Sequence, residues 1–115
     1  MDTRSKGKAG EEQAVEYLLS QGYTIVARNY QSRKGEIDCI ARCEDGTLAF
    51  IEVKWARDLS RGHPFTWVTP AKQRTIVGMA RQYLADHGLH TRACRFDVIA
   101  IVGGKLEHMP HAFIA

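Results

Sequence analysis

Two periods of apolar and polar residues succeed one another along the chain, and the changes between them mark its elements. Ala14, Val15, Leu18 and Leu19 recur at helical spacing, with Glu12, Gln13, Glu16 and Ser20 on the other side. They predict a helix from about Ala9 to Ser20, after a frayed basic start and before Gly22. Tyr23 to Asn29 is rich in β-formers and predicts a strand, and Gln31 to Gly35 a basic loop. Glu36 to Arg42 and Thr47 to Lys54 predict a hairpin joined by Glu44-Asp45-Gly46. Residues 55–68, with Gly62 and Pro64, predict a mobile loop. Thr69 as N-cap and Pro70 at the first position open a second helix. Its apolar stripe is Ile76, Val77, Ala80, Tyr83 and Leu84, and Gly88 ends it. Arg95 to Val102 is a further apolar strand, after which Gly103-Gly104 leads into a short tail. The order helix, strand, hairpin, helix, strand predicts an α/β fold with a central mixed β-sheet flanked by helices. No repeat, low-complexity stretch or linker interrupts it, so residues 1–115 are expected to form a single domain.

The hairpin is the most informative stretch. In a three-residue loop the third residue favours a left-handed conformation, which glycine adopts most easily, and Gly46 stands there. That loop pairs Cys43 with Thr47, Asp38 with Glu52 and Glu36 with Lys54. Side chains alternate along a strand, so the Asp38–Glu52 and Glu36–Lys54 pairs share one face. The reverse face, Ile37, Cys39 and Ala41 against Ala49, Ile51 and Val53, is wholly apolar and is expected to be core. A two-residue loop would put Asp38 and Glu52 on opposite faces.

Composition limits the function classes. The chain has 44% hydrophobic and 25% charged residues, as in ordinary globular proteins. No apolar run approaches the roughly 20 residues of a membrane span. The start, Met1 to Lys8, lacks the apolar core of a secretory signal. Three cysteines, Cys39, Cys43 and Cys94, fit a reducing cytoplasm better than a disulfide framework. Cys39 and Cys43 read as core thiols, with no further ligand at zinc spacing. The net charge of +3 is modest, but basic residues gather beside the acids: Arg28, Arg33 and Lys34 before Asp38, and Lys54, Arg57 and Arg61 after Glu52. Such a distribution suits a polyanion, although charge alone favours a solvated surface.

Two carboxylates opposed at about 5 Å repel by roughly 3 kcal/mol at an effective dielectric of about 20. A divalent cation turns that repulsion into a site, and hard cations such as Mg²⁺ take carboxylate oxygens and keep several waters. The main-chain carbonyl of Val53 could add an oxygen. Lys54 points from the same face as Glu52 and could orient or deprotonate a water, or steady charge on a phosphate. Glu11 lies on the apolar side of the first helix, near its positive end, where a carboxylate needs a partner. Alone, Glu-x-Lys is a common tripeptide; register, apolar reverse face and Glu11 together raise it above a surface hairpin.

At these residues the sequence resembles a known family. Gly35-Glu36-Ile37-Asp38, thirteen residues, then Glu52-Val53-Lys54 is similar to the core of PD-(D/E)xK nucleases. More closely, nearly the whole chain resembles the YraN-like family of small bacterial proteins, which are similar to archaeal Holliday-junction resolvases. The likeness includes Gly7-x-x-Gly10-Glu11-x-x-Ala14, Arg28-Asn29-Tyr30, Phe50 to Lys54, Val68-Thr69-Pro70-x-Lys72 and Arg95-Phe96-Asp97-Val98. It implies a restriction-endonuclease-like core, metal ligands at Asp38 and Glu52, a catalytic lysine at Lys54 and a helical glutamate at Glu11. Glu36 and Gln73 would support the site. Trp55-Ala56 departs from the small or polar residue and arginine usual after the lysine; Trp55 could stack on a base or pack, and Arg57 is close.

The resulting expectation is a metal-dependent endonuclease, using Mg²⁺ or Mn²⁺ to hydrolyse phosphodiester bonds in branched or otherwise structured DNA. Arg33, Lys34, Arg57 and Lys72 would contact the nucleic acid. The alternative is a non-catalytic nucleic-acid-binding module that keeps the nuclease fold. No membrane partner is expected, and symmetric cutting of two strands would call for a homodimer. His63 reads as a solvated side chain or a DNA contact, and Asp97 has no assigned role.

Overall fold

The elements run α1 (Thr3–Ser20), β1 (Thr24–Ser32), β2 (Gly35–Arg42), β3 (Leu48–Ala56), a 3₁₀ turn (Pro64–Trp67), α2 (Pro70–Asp86), β4 (Cys94–Val102) and β5 (Lys105–Phe113). They are taken from a computed structural model that describes residues 3–89 and 91–114, with side chains from residue 8. The side chains of Arg4 and Lys6, part of the basic start, lie outside the described residues. The strands form one mixed sheet in the order β1-β2-β3-β4-β5. Only β3 and β4 pair in parallel, through the crossover that contains α2. This is the expected α/β architecture, a mixed sheet flanked by two helices and consistent with a restriction-endonuclease-like core.

Each helix covers one face. Under α2, Ile76, Met79, Ala80, Tyr83 and Leu84 pack on Ile37, Ile40, Phe50, Phe96 and Val98. Under α1, Ala14 and Leu18 pack on Cys39, Ala41, Ala49, Ile51, Ile99 and Ile101. The central strands β3 and β4 are therefore buried on both faces and read as nearly continuous apolar runs. Phe50 is fully buried between Tyr83 and Phe96, with ring centroids 5.9 and 5.8 Å away, and truncating it to Ala would cost about 3–5 kcal/mol. No helix among the described residues is long and apolar enough to cross a membrane.

The hairpin has the expected register: Cys39↔Ile51, Ile40↔Phe50, Ala41↔Ala49 and Arg42↔Leu48. Gly46 sits at φ 90°, and the Thr47 N–H bonds Asp45 Oδ1 at 2.9 Å. Thr69 caps α2 through its hydroxyl, which accepts from the Lys72 N–H at 3.2 Å.

Several boundaries differ from the sequence reading. Helix α1 starts at Thr3 rather than Ala9, because Thr3 to Lys8 has no apolar residue from which a helical period could be read. Gln31 to Gly35 is not a loop: β1 runs to Ser32 and meets Gly35 across a two-residue Arg33-Lys34 turn. Its polar residues pair as an edge strand. Residues 55–68 contain the end of β3 and the 3₁₀ turn. The expected tail is strand β5, joined by Gly103 and Gly104 at φ 57° and 83°. Positive φ at both central residues is the geometry of a two-residue hairpin turn. Pro110 and two histidines, His108 and His111, concealed this strand; at a sheet edge both residue types are tolerated.

Ile37 is the most consequential correction. It packs under α2 with Ile40, not with Cys39 and Ala41 under α1. Strict alternation thus breaks at Asp38. Opposite it, between the bridged pairs Arg28↔Cys39 and Tyr30↔Ile37, stands Asn29 with φ 52°. The Asp38 face is core at Ile40 and Phe50 and opens only around Asp38 itself, which is half-buried.

Candidate active site

Beside the break in β2, the bridged pairs of β2 and β3 stop at Cys39↔Ile51, and a side chain takes over the pairing. The Val53 N–H donates to Asp38 Oδ2 at 2.8 Å. This sets the Asp38 carboxylate beside Glu52, which is 2% exposed. Burial pushes the Glu52 carboxyl up to about 7, the Asp38 charge adds to it, and Lys54 and Lys72 oppose it. Burial also raises Asp38, against the Val53 hydrogen bond and the two lysines. The pair sits on the wall of a cleft of about 450 Å³, lined on the sheet side by Lys34, Glu36, Asp38, Glu52 and Lys54 and on the α2 side by Lys72, Thr75 and Ile76.

Two ammonium groups meet one carboxylate oxygen. Lys54 Nζ and Lys72 Nζ each lie 3.6 Å from Glu52 Oε2. Burial lowers the pKa of Lys54, Glu52 resists that shift and Lys72 adds to it. A lysine with a depressed pKa is a better proton acceptor near neutral pH. Lys72, expected as a nucleic-acid contact, is held at the acids by its place in the first turn of α2.

Glu11 and Glu36 form a second acidic pair, clasped by Asn29. With its amide nitrogen turned to them, Asn29 donates to Glu11 Oε2 at 3.2 Å and Glu36 Oε1 at 2.8 Å. Burial raises the pKa of Glu11, and Asp38 and Glu36 raise it further. Glu11 thus stands close enough to feel Asp38 while facing Asn29. The sequence reading gave Asn29 no role; its place in Arg28-Asn29-Tyr30 between charged strands was the available signal.

Other candidates are dispersed. Lys34 lines the acidic cleft, whereas Arg33 borders a separate depression with Tyr30 and Met79. Gln73 does not reach the acids: its amide donates to the Val68 carbonyl at 3.0 Å, and it borders a groove on the outer side of α2. Arg57 lies past the end of β3 with Trp55 and Trp67. His63 caps the 3₁₀ turn through Phe65 N–H and pairs with Glu107 at 3.2 Å. Cys39 is a buried thiol pushed up to about 11 by burial, as a core thiol should be. Cys43 is half-buried.

Asp97 is fully buried on the α1 face. It accepts from Arg95 Nε at 3.1 Å, from the His111 N–H at 3.2 Å and lies 2.8 Å from His108 Nε2. His108 Nδ1 is 2.9 Å from the Tyr17 hydroxyl, and Arg95 also bonds the Tyr23 hydroxyl. The network ties α1 to β4 and β5, a structural role that needs β5 to be recognised.

The Asp38–Glu52 pair suits a hard divalent cation. Glu52 Oε1 is buried with no hydrogen-bond partner among the described residues, a costly state that a cation would relieve. Among the described residues, no three His, Cys, Asp or Glu side chains converge on a common metal position. The protein would therefore offer two carboxylates and backbone oxygen, with water completing the shell, as Mg²⁺ commonly accepts.

Fold and site together define a small α/β protein in which a buried Glu52 on the central strand β3, a half-buried Asp38 on β2 and two lysines share one cleft. The chain belongs to uncharacterised protein family UPF0102, whose model matches residues 10–101. It is 46% identical over 110 residues to a UPF0102 protein of Ralstonia nicotianae, covering 93% of this chain and 85% of the relative. A UPF0102 protein of Chromohalobacter salexigens is 49% identical over 102 residues, covering 89% and 81%. One from Chlorobium phaeobacteroides is 44% identical over 118 residues, covering 94% and 93%.

Proposed function

We propose that this chain is a Mg²⁺- or Mn²⁺-dependent endonuclease of the PD-(D/E)xK type, acting on branched or otherwise structured DNA. The observation that carries the reading is Glu52: a buried carboxylate with one orphan oxygen, paired with Asp38 and flanked by Lys54 and Lys72. Asp38, Glu52 and the Val53 carbonyl would hold the ion, which when bound supplies charge stabilisation to a phosphodiester undergoing hydrolysis. Lys54 takes or holds the proton of the attacking water and steadies charge on the phosphate. Lys34 and Lys72 attract the backbone along the cleft. Asn29 fixes Glu36 and Glu11 behind Asp38. Cutting two strands symmetrically would take a two-fold dimer.

A second reading, a nucleic-acid-binding module that does not cut, draws on the same lysines: both already offset the Glu52 charge within the chain. Mn²⁺-supported cleavage of labelled DNA, compared between wild type and Glu52→Gln, separates the two. Cleavage lost in the variant supports the nuclease; salt-dependent binding without cleavage by either supports the module.

A further inference from the structure

Past Lys54, strand β3 turns its next side chain to the other face of the sheet, where a second cavity begins. It has a volume of about 390 Å³ and is lined by Trp55, Arg57, Arg61 and Trp67, with Asp58 on its rim. That volume falls within the roughly 300–1,000 Å³ of small-ligand sites. Both tryptophans of the chain are here, and each is only half-buried.

The cavity is held in shape. Trp55 packs against α1 at Gly10, where an added Cβ would lie 3.3 Å from the indole. Trp67 Nε1 donates to the Arg61 carbonyl at 3.2 Å, closing the loop onto the 3₁₀ turn. The Gly62 N–H bonds the Leu59 carbonyl at 3.0 Å, and the Gly103 N–H bonds the Ala56 carbonyl at 3.1 Å. Asp58 accepts from the Ser60 N–H at 2.9 Å, which with the nearby Arg57 charge keeps its carboxyl below the ordinary value, so the lining sets two guanidiniums against one carboxylate.

Indole faces beside guanidinium groups match a base and its phosphate. Lys54 and Trp55 are neighbours in the chain, so their Cα atoms are about 3.8 Å apart, and the two cavities lie on either side of one strand end.

We propose that this cavity binds an unpaired nucleotide of the strand whose backbone crosses the acidic cleft, its base on Trp55 and Trp67 and its phosphate on Arg57 and Arg61. The inference rests on the nuclease reading and narrows it: the substrate carries a single-stranded nucleotide next to the phosphate at the acids, as flaps, gaps and single strands do. A fully paired duplex cannot fill the cavity without extruding a base.

Intrinsic tryptophan fluorescence reads this site directly, because the chain has no tryptophan elsewhere. The wild-type chain in EDTA, where metal-dependent cleavage is off, is titrated with an oligothymidylate and with a blunt duplex of the same length. Saturable quenching by the single strand is expected, at an apparent affinity about tenfold or more above that of the duplex. Arg57→Glu with Arg61→Glu, both exposed positions, lowers single-strand affinity by about tenfold or more. Binding without quenching, equal affinity for duplex and single strand, or unchanged affinity in the double variant overturns the proposal. Those results leave cleavage by wild type against Glu52→Gln to decide the nuclease reading. Quenching with the expected preference but no cleavage by wild type keeps the cavity and moves the chain to the binding-module class.

Discussion

The Asp38 carboxylate accepts a hydrogen bond from the Val53 backbone N–H at 2.8 Å, just beyond the last bridged pair of the β2–β3 ladder. A side chain thus replaces a strand partner, and the replacement brings Asp38 to Glu52. Asp38→Asn keeps an acceptor for Val53 and removes a charge, whereas Asp38→Ala leaves the N–H unpaired. In metal-free buffer near pH 8, Asp38→Asn should be more stable than Asp38→Ala by about 1–2 kcal/mol in urea unfolding. Equal stabilities would mean that the bond contributes nothing.

Glu52 makes metal-free stability depend on pH. Its folded value near 7 lies above the ordinary 4.5, so the folded chain holds this proton more tightly than the unfolded one. The resulting loss of stability grows as the pH rises above 4.5 and is complete above about 7. Metal-free wild type should therefore lose about 1–3 kcal/mol relative to Glu52→Gln between pH 5 and pH 8. Millimolar Mg²⁺ at pH 8 should restore wild type and leave Glu52→Gln unchanged. Parallel pH profiles for the two chains would show that Glu52 is ionised without cost.

Lys54 belongs to the proposed chemistry rather than to ion retention. Lys54→Ala should lower single-turnover Mn²⁺-supported cleavage by about 10²–10⁴-fold. Calorimetry should still find Mn²⁺ bound within a few-fold of wild-type affinity. Cleavage at the wild-type rate would remove Lys54 from the mechanism.

Asp97 supplies stability with the opposite pH sign. Burial alone would raise its carboxyl, but hydrogen bonds from His108 and Arg95 hold it below the ordinary 3.8. Its contribution is present above that value and is lost as the pH falls through the lower folded one. Asp97→Asn leaves Arg95 uncompensated at 16% side-chain exposure and should cost about 3 kcal/mol in urea unfolding at pH 7, with the difference shrinking below pH 4. A loss well under 1 kcal/mol would show that the network is dispensable.

The parts of this fold legible in the sequence were those fixed by local rules. Gly46 set the hairpin loop and the loop set the register as far as Cys39↔Ile51, beyond which the Asp38–Val53 hydrogen bond, not a bridged pair, brings Asp38 to Glu52. Thr69 and Pro70 marked the start of α2. Tertiary contacts hid the rest. The left-handed turn at Asn29 lies in an otherwise regular strand pattern, so nothing local told that Ile37 would swing to the α2 face. Strand β5 is polar because it is an edge, and without it Asp97 had no partners to assign. Lys72 was readable as a basic residue in a first turn, but not as lying over Glu52, because that depends on how α2 crosses the sheet.

A divalent ion held by Asp38 and Glu52 would have to support DNA cleavage. The most direct measurement incubates wild type and Asp38→Asn with Mn²⁺ and labelled four-way, flap, single-stranded and duplex DNA. Wild type should cut, most strongly on substrates with an unpaired strand, Asp38→Asn should not, and neither should cut in EDTA. Equal cutting by the two chains, or no cutting of any substrate by wild type with Mn²⁺ bound, would contradict that role for the ion.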